Sequence, residues 1–270
     1  SKQNQKETLI LTEQELQNLP LLNLSSDTHN NGGNIYKVSE RVIYKIFKDL
    51  YSFQEEVERN IDFQITNAIP NTPKIYNKLF LNGKFSGYSM EYIPNAVTFR
   101  KAIGEDFDLS TKLEAIKNIY EALKYLHQHY PHHIFLGDIH ADNFLITREG
   151  AGYIIDLDYM RFPNDEYKFQ QCYLIKPNNN SCKINVASEY TDNIKVMISC
   201  LSLLLNTDLE EFISSKTSAL NLEELYDKVI LPLNNPSLSN YFERLQNKEK
   251  VEYFDDWLSF QNLSKHTKTR

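Results

Sequence analysis

The order of hydrophobic and polar residues divides the chain into a strand-rich first part and a helix-rich second part. Residues 35–38 (IYKV) and 42–47 (VIYKIF) are rich in β-branched and aromatic residues, and the polar stretch between them predicts a β-hairpin. Two more strands are predicted on either side of the Asn-Gly turn at 82–83. Between the two pairs, apolar residues recur at every fourth position from Phe53 to Ile65, which predicts one amphipathic helix.

Beyond the segment IPN the apolar positions follow helical spacing for most of the chain. Residues from about 109 to 130 predict a helix with one apolar side. Residues 144–147 (FLIT) and 153–156 (YIID) predict two short strands around the turn REGAG, whereas residues 159–188 show no clear period. From Asp192, the run DNIKVMISCLSLLL is apolar on most sides, so it predicts a deeply buried helix.

These elements predict an α+β protein with two lobes. Residues 1–25 form an N-terminal extension in which the sequence TEQE predicts a capped short helix. Residues 26–92 form a β-rich N-terminal lobe that contains one helix, and residues 93–270 form a mainly helical C-terminal lobe.

Composition narrows the class of protein but does not name a function. The chain has 270 residues, is 41% hydrophobic and 24% charged, and carries a formal net charge of −7, which excludes a disordered chain and disfavours nucleic-acid binding. The cysteines are odd in number and lack zinc-site spacing; Cys200 is expected in the core, and a pairing of Cys172 with Cys182 stays open. The longest apolar run, residues 196–205, is too short to span a bilayer, and the first residues are polar. We expect a soluble cytoplasmic protein, with delivery to another cell left open.

Polar residues that could bind a metal ion or take part in catalysis are concentrated in residues 136–158, LGDIHADNFLITREGAGYIIDLD. Asp138 and Asn143 lie on a loop before one predicted strand, and Asp156 lies at the end of the next strand. A turn between the two strands would bring the loop and the strand end together. Amide and carboxylate oxygens are ligands that suit Mg²⁺, whose other positions are filled by water and phosphate. Asp138 would then face the place of a substrate hydroxyl.

The same segments resemble those of the protein kinase-like superfamily, in the same order along the chain. GDIHADNFL resembles the catalytic loop D-x-x-x-x-N, IIDLD resembles the metal-binding D-F-G strand end, and VIYKIF resembles the V-A-I-K strand. MEYI at 90–93 is similar to the hinge whose backbone binds adenine, and ALKYLHQH at 122–129 resembles the helix before the catalytic loop. Asp192 matches an aspartate that braces the catalytic loop in that family. The resemblance covers roughly residues 30–205.

The resemblance implies a bilobal kinase-like fold with a catalytic loop at 136–143 and an activation segment at 156–189. It implies an enzyme that uses ATP and Mg²⁺ to transfer the γ-phosphate to a hydroxyl, with serine/threonine protein kinase as the first choice. The expected partners are ATP and a protein substrate, with no nucleic acid and no membrane span. The implied catalytic residues are Asp138, Lys45 and His140. The implied metal ligands are Asn143, Asp156 and Asp158. The implied nucleotide contacts are Gly32, Gly33, Val38, Lys45, Glu58, Met90, Glu91, Ile93 and Leu145.

The acidic partner of Lys45 is chosen from the sequence EEVE, which offers Glu55, Glu56 and Glu58. Glu58 flanks the apolar stripe of the predicted helix and is the first choice, and Glu56 is the second.

The sequence departs from the family pattern in three places. The phosphate-loop segment THNNGG at 28–33 matches clearly only at Gly33, and Leu136 and Gly137 stand where the family has His and Arg. Asp158 replaces the glycine of D-F-G. Aminoglycoside and choline phosphotransferases share GD-I-H and this second acid, so a small-molecule kinase is an alternative, as is a pseudokinase that only binds partners.

Overall fold

A computed structural model describes residues 8–22, 33–48, 50, 53–175, 182–214, 219–247 and 252–261. The chain is α+β, as the sequence predicted, and it divides into two compact units. The first comprises residues 1–96 together with 156–159, and the second comprises residues 97–155 and 160–270.

A five-stranded sheet forms the centre of the first unit. Its strand order is β1-β4-β5-β3-β2, with β1 parallel to β4 and the other neighbours antiparallel. The predicted β2–β3 hairpin and the predicted β4–β5 pair are both confirmed. Asn82 (φ 51°) and Gly83 (φ 74°) join β4 to β5 with positive φ at both turn positions, as a tight hairpin requires. The strands are β1 (Thr8–Leu11), β2 (Asn34–Lys37), β3 (Val42–Ile46), β4 (Ile75–Leu81) and β5 (Lys84–Glu91).

Two helices accompany this sheet, α1 (Glu13–Gln17) and α2 (Gln54–Thr66). Thr12 caps α1 by accepting a hydrogen bond from the Glu15 N–H at 3.1 Å, as the TEQE sequence predicted. The apolar stripe of α2 is also confirmed, because Val57 and Ile61 are fully buried in a core that β4 and β5 complete. Since β1 pairs with β4, part of the predicted N-terminal extension belongs to the sheet.

The second unit contains most of the helices. The helix α4 begins at Leu109, as predicted, and α6 begins three residues before Asp192 because Ser188 caps it by accepting a hydrogen bond from the Thr191 N–H. The helix α6 is deeply buried, as its apolar sequence predicted, and it contains the free, fully buried Cys200. The helices are α3 (Phe99–Ala102), α4 (Leu109–His127), α5 (Tyr167–Gln170), α6 (Glu189–Leu205), α7 (Leu222–Leu225), α8 (Pro236–Asn247) and α9 (Phe254–Phe260). No helix of the described ranges has both the length and the apolar composition needed to cross a bilayer.

Two small sheets complete the second unit. The strands β6 (Val97–Thr98), β7 (Phe144–Ile146) and β8 (Gly152–Ile154) form one sheet in that order, and its β7–β8 hairpin was predicted. The other sheet has the order β10-β9-β12-β11 and was not predicted. Its β9–β10 pair lies within residues 159–188, which lack a hydrophobic period. Cys172 of β9 is buried and free. Its strands are β9 (Gln171–Ile175), β10 (Cys182–Val186), β11 (Ile213–Ser214) and β12 (Ala219–Asn221).

Candidate functional site

Lys45 is a buried cation held by two carboxylates in the first unit. Alternation along β3 turns Ile43 and Lys45 to the buried face of the strand, and Lys45 is only 3% exposed. Its Nζ lies 2.9 Å from Oδ1 of Asp156 and 2.7 Å from Oδ2 of Asp158. A lysine this deeply buried requires opposite charge, and these two acids supply it.

A sharp turn of the backbone brings both acids to the same amine. Beyond β8, the Ile155 N–H donates to the Asn143 carbonyl at 2.8 Å, and Asp156 follows in the chain. Asp156 adopts a left-handed conformation with φ 61°, which aspartate tolerates better than most residues. A 3-10 turn over residues 157–159 follows at once. Strand end and turn together direct the carboxylates at positions 156 and 158 to one point.

The charge states of Lys45 and Asp158 depend strongly on one another. Burial alone would lower the pKa of Lys45, but Asp156 and Asp158 outweigh burial and hold that pKa well above its ordinary value. Burial raises the pKa of Asp158 above its ordinary value, although Lys45 opposes this effect. The amine is therefore charged at neutral pH, and two acids share one cation.

Aromatic rings and an unpaired oxygen complete the surroundings of Lys45. Its Nζ lies 5.7 Å from the ring centroid of Phe47 and 5.9 Å from that of Tyr88, distances at which a cation is attracted to a ring face. Oδ1 of Asp158 is buried and makes no hydrogen bond of normal geometry among the described residues, although the neighbouring Tyr88 hydroxyl lowers the pKa of this carboxyl. A buried carboxylate oxygen without a partner has unused capacity for a ligand.

The prediction that Glu58 pairs with Lys45 is wrong in this structure. Oε1 of Glu58 lies 3.2 Å from Nζ of Lys78, on β4. The partners of Lys45 come instead from residues more than a hundred positions later in the chain. The sequence rule failed because Glu58 flanks the buried stripe without lying on it, and a partly buried lysine of β4 pairs with it there.

In the second unit, a fully buried carboxylate fixes the predicted catalytic loop. Asp192 accepts hydrogen bonds from the Leu136 N–H at 2.8 Å and the Gly137 N–H at 2.9 Å. Nε2 of His127 lies 2.7 Å from the same carboxylate. The resemblance implied that Asp192 braces this loop, and the contacts agree. The loop is thus held by its backbone, and the exposed Asp138 side chain lies immediately beyond the braced residues.

Arg161 packs directly over Gly137. Its Nη1 donates to the Leu136 carbonyl at 2.7 Å and its Nε donates to the Phe169 carbonyl at 3.0 Å. A Cβ at position 137 would lie 2.5 Å from Nε of Arg161, so the glycine makes room for the guanidinium. Burial lowers the pKa of Arg161, while Asp138 and Asp192 act in the opposite direction. Gly137 therefore makes room for a guanidinium from elsewhere in the chain.

Substituting Gly137 by alanine is expected to lower the free energy of unfolding by about 2–3 kcal/mol. Gly137 has φ 75°, and the added Cβ would also displace Arg161 from its two carbonyl acceptors. Urea denaturation of the purified variant measures the change. Gly83→Ala is the matched comparison, because Gly83 has φ 74° but open space around its Cβ position, so it should cost about 1 kcal/mol. Equal losses in the two variants would show that Arg161 does not depend on the glycine.

Asn143 ends a short 3-10 turn that a second charged network holds. Its Oδ1 accepts a hydrogen bond from the His140 N–H at 2.9 Å, which orients the amide. Arg100 on α3 contacts Oδ2 of Asp142 at 2.9 Å and also binds Glu210. Glu210 accepts from the Ala141 N–H at 2.6 Å. Sequence reasoning missed Arg100 and Glu210, because no local pattern links residues this far apart.

The other predicted nucleotide contacts are placed as follows. Gly33 is buried just before β2, against the Ile46 carbonyl, and Val38 is exposed just beyond the end of that strand. Met90 and Glu91 end β5, and the Glu91 carboxylate accepts a hydrogen bond from the Lys74 N–H. Ile93 is half-buried beyond this strand, and Leu145 is half-buried on β7, in the second unit. Gly32 lies outside the described residues.

The acids around Lys45 are suitable ligands for a Mg²⁺ ion that keeps water or phosphate at its other coordination positions. In the described ranges, no three His, Cys, Asp or Glu side chains converge so as to hold a metal ion by themselves. Mg²⁺ bound with a nucleotide needs only one or two carboxylates from the protein, because water and phosphate fill the other positions. The carboxylates of Asp156 and Asp158 are donors of the appropriate type.

No family model matches the sequence, and no curated protein matches it significantly. Its function must therefore be inferred from the arrangement of its side chains.

Proposed function

We propose that this chain is an ATP- and Mg²⁺-dependent phosphotransferase with a kinase-like fold, which transfers the γ-phosphate to a hydroxyl group. The observation that carries the proposal is the buried amine of Lys45 between Asp156 and Asp158. These acids directly follow the β7–β8 hairpin, which comes after a D-x-x-x-x-N loop. Phosphate transfer requires that the reacting groups be positioned and that the negative charge of the phosphates be neutralised. An amine and several carboxylate oxygens close together can do both, because the amine contacts phosphate and the carboxylates hold Mg²⁺.

The residues divide the work between nucleotide and acceptor. Lys45 would bind phosphate oxygens of ATP, and Asp156, Asp158 and Asn143 would hold Mg²⁺, which neutralises the charge that develops on the transferring phosphate. Asp138 would orient the acceptor hydroxyl and take its proton, since its carboxylate is exposed on a backbone that Asp192 fixes. The kinase-like fold, the enzymatic activity and a serine or threonine acceptor on a protein belong to this proposal.

A small-molecule acceptor is the second candidate, and one observation favours it. Asp158 stands where protein kinases have glycine, and its buried carboxylate forms an ion pair with Lys45. Because the small-molecule phosphotransferases that the sequence resembles also carry a second acid here, Asp158 favours the small-molecule acceptor class.

Incubation of the full chain with γ-labelled ATP and Mg²⁺ is expected to transfer label to a hydroxyl acceptor, and removal of Mg²⁺ by a chelator is expected to abolish transfer. The reason is that Lys45 alone cannot neutralise a triphosphate while it is paired with two acids. Label on added serine- or threonine-containing protein supports the first acceptor class. Label on aminoglycosides, choline or other hydroxylated metabolites supports the second. Nucleotide binding without turnover of any acceptor would contradict the enzymatic proposal and leave a binding module.

A further inference from the structure

A fully buried asparagine on α2 contacts the turn that carries the two acids. Nδ2 of Asn60 donates to the backbone carbonyl of Asp158 at 2.8 Å, and Asn60 is 0% exposed. It lies on the apolar face of the helix, next to Ile61 and one turn from Val57. A polar side chain on such a face is unfavourable unless its hydrogen bonds are made, so this contact matters for the position of the turn.

Hydrogen bonds to both the oxygen and the nitrogen of the Asn60 amide determine its orientation. Oδ1 of Asn60 accepts from Nε of Arg59 at 3.2 Å and from Nη2 of Arg59 at 2.9 Å. The amide nitrogen therefore faces the Asp158 carbonyl, and a flipped amide would place acceptor against acceptor. Arg59, Asn60 and Asp158 form a directed chain of hydrogen bonds from the helix to the acid-bearing turn.

We propose that Asn60 is a positioning residue for the Lys45 site. It connects α2 to the turn at 156–159 through a backbone carbonyl, and so holds the carboxylates of Asp156 and Asp158 toward the amine. The helix glutamate expected for this task, Glu58, is paired with Lys78 instead. The inference rests on the proposed function for its effect on nucleotide binding, while the coupling of helix to turn is a property of the fold alone.

The Asn60→Asp variant tests the coupling, because it keeps the shape of the side chain and replaces the donor by an acceptor. Hydrogen exchange of peptides that cover residues 156–160 is expected to become about tenfold faster, as for the loss of one buried hydrogen bond. The affinity for ATP in the presence of Mg²⁺ is expected to fall about tenfold, with a much smaller change for ATP alone. Exchange in peptides from β1 and α1 should stay unchanged.

Glu58→Gln on the same helix is the control, and it should alter neither the exchange of the turn nor the Mg²⁺-dependent affinity. Arg59→Ala offers a milder test that keeps Asn60, with a smaller acceleration expected at the turn alone. Equal acceleration throughout the first unit, or a larger effect of Glu58→Gln, would overturn the inference. If the wild-type chain bound no ATP, the proposed function would be rejected. The exchange measurement needs no nucleotide, so it would still decide whether Asn60 holds the turn.

Discussion

Replacing Lys45 by methionine is expected to abolish phosphate transfer and to lower the free energy of unfolding by about 3–5 kcal/mol. The substitution removes the cation that Asp156 and Asp158 share and leaves the carboxylate of Asp158, which is 2% exposed, without compensating charge. Methionine fills the space of the lysine stem, so the loss reports charge rather than packing. Urea denaturation followed by circular dichroism measures the stability, and the labelled-ATP assay measures the transfer.

A double variant separates the structural effect of Lys45 from its chemical effect. Lys45→Met combined with Asp158→Asn should recover most of the lost stability, because the uncompensated buried charge is gone, but it should recover no transfer. Lys78→Met is the matched control. It breaks the ion pairs that a partly buried lysine makes with two partly exposed acids, Glu58 and Asp62, and it should cost no more than about 1 kcal/mol. A stable, fully active Lys45→Met variant would contradict both the ion-pair geometry and the proposed function.

The stability loss of Lys45→Met should depend on pH in a defined direction. Burial raises the folded-state pKa of Asp158 above its unfolded value, and the methionine variant lacks the lysine that opposes this shift. A carboxyl whose pKa is higher in the folded state binds more protons there, so stability increases as the pH falls through that pKa. The difference between variant and wild type should therefore shrink on acidification from neutral pH. A difference that grows on acidification would exclude an uncompensated Asp158 as its cause.

The parts of the fold that depend on short-range patterns could be predicted from the sequence. The β-branched and aromatic composition of VIYKIF predicted β3, and the alternation of side chains along any strand places Lys45 on the same face as the buried Ile43. The Asn-Gly turn and the apolar stripe of α2 are also local signals, and each predicted its element. The buried helix that contains Asp192 followed from its continuous apolar sequence. Local patterns suffice here because strand, turn and helix geometry are decided within a few residues.

The pairing of charged residues could not be predicted in the same way. The sequence offered three glutamates of α2 as partners of Lys45, whereas its observed partners lie 111 and 113 residues away in the chain. Asn60 offered no signal, since an asparagine on an apolar helix face is indistinguishable in sequence from a surface residue near the stripe. The β9–β10 pair lacked a hydrophobic period. The charge pairs, the contact of Asn60 and the β9–β10 pair all depend on which elements meet in space. A single sequence does not reveal those meetings.

Substituting Asp138 by asparagine is expected to reduce kcat about 10²–10⁴-fold while leaving the affinity for Mg²⁺–ATP and the stability almost unchanged. Asn has the same shape as Asp but cannot accept the proton of an acceptor hydroxyl. The Asp138 side chain is exposed, and the loop is held by the contacts of Asp192 with the backbone of Leu136 and Gly137, which the substitution does not touch. Steady-state kinetics, nucleotide titration and urea denaturation provide the three quantities.

Glu149→Gln provides the comparison for Asp138→Asn. Glu149 is an exposed acid on the turn between β7 and β8 of the same unit, so its substitution removes one surface charge without touching the loop. Its kcat should equal that of the wild type. If Asp138→Asn transferred phosphate at the rate of this variant, the proton would have another acceptor and the assigned role of Asp138 would be rejected. If it lost affinity for Mg²⁺–ATP as well, Asp138 would contribute to nucleotide binding and not to the chemical step alone.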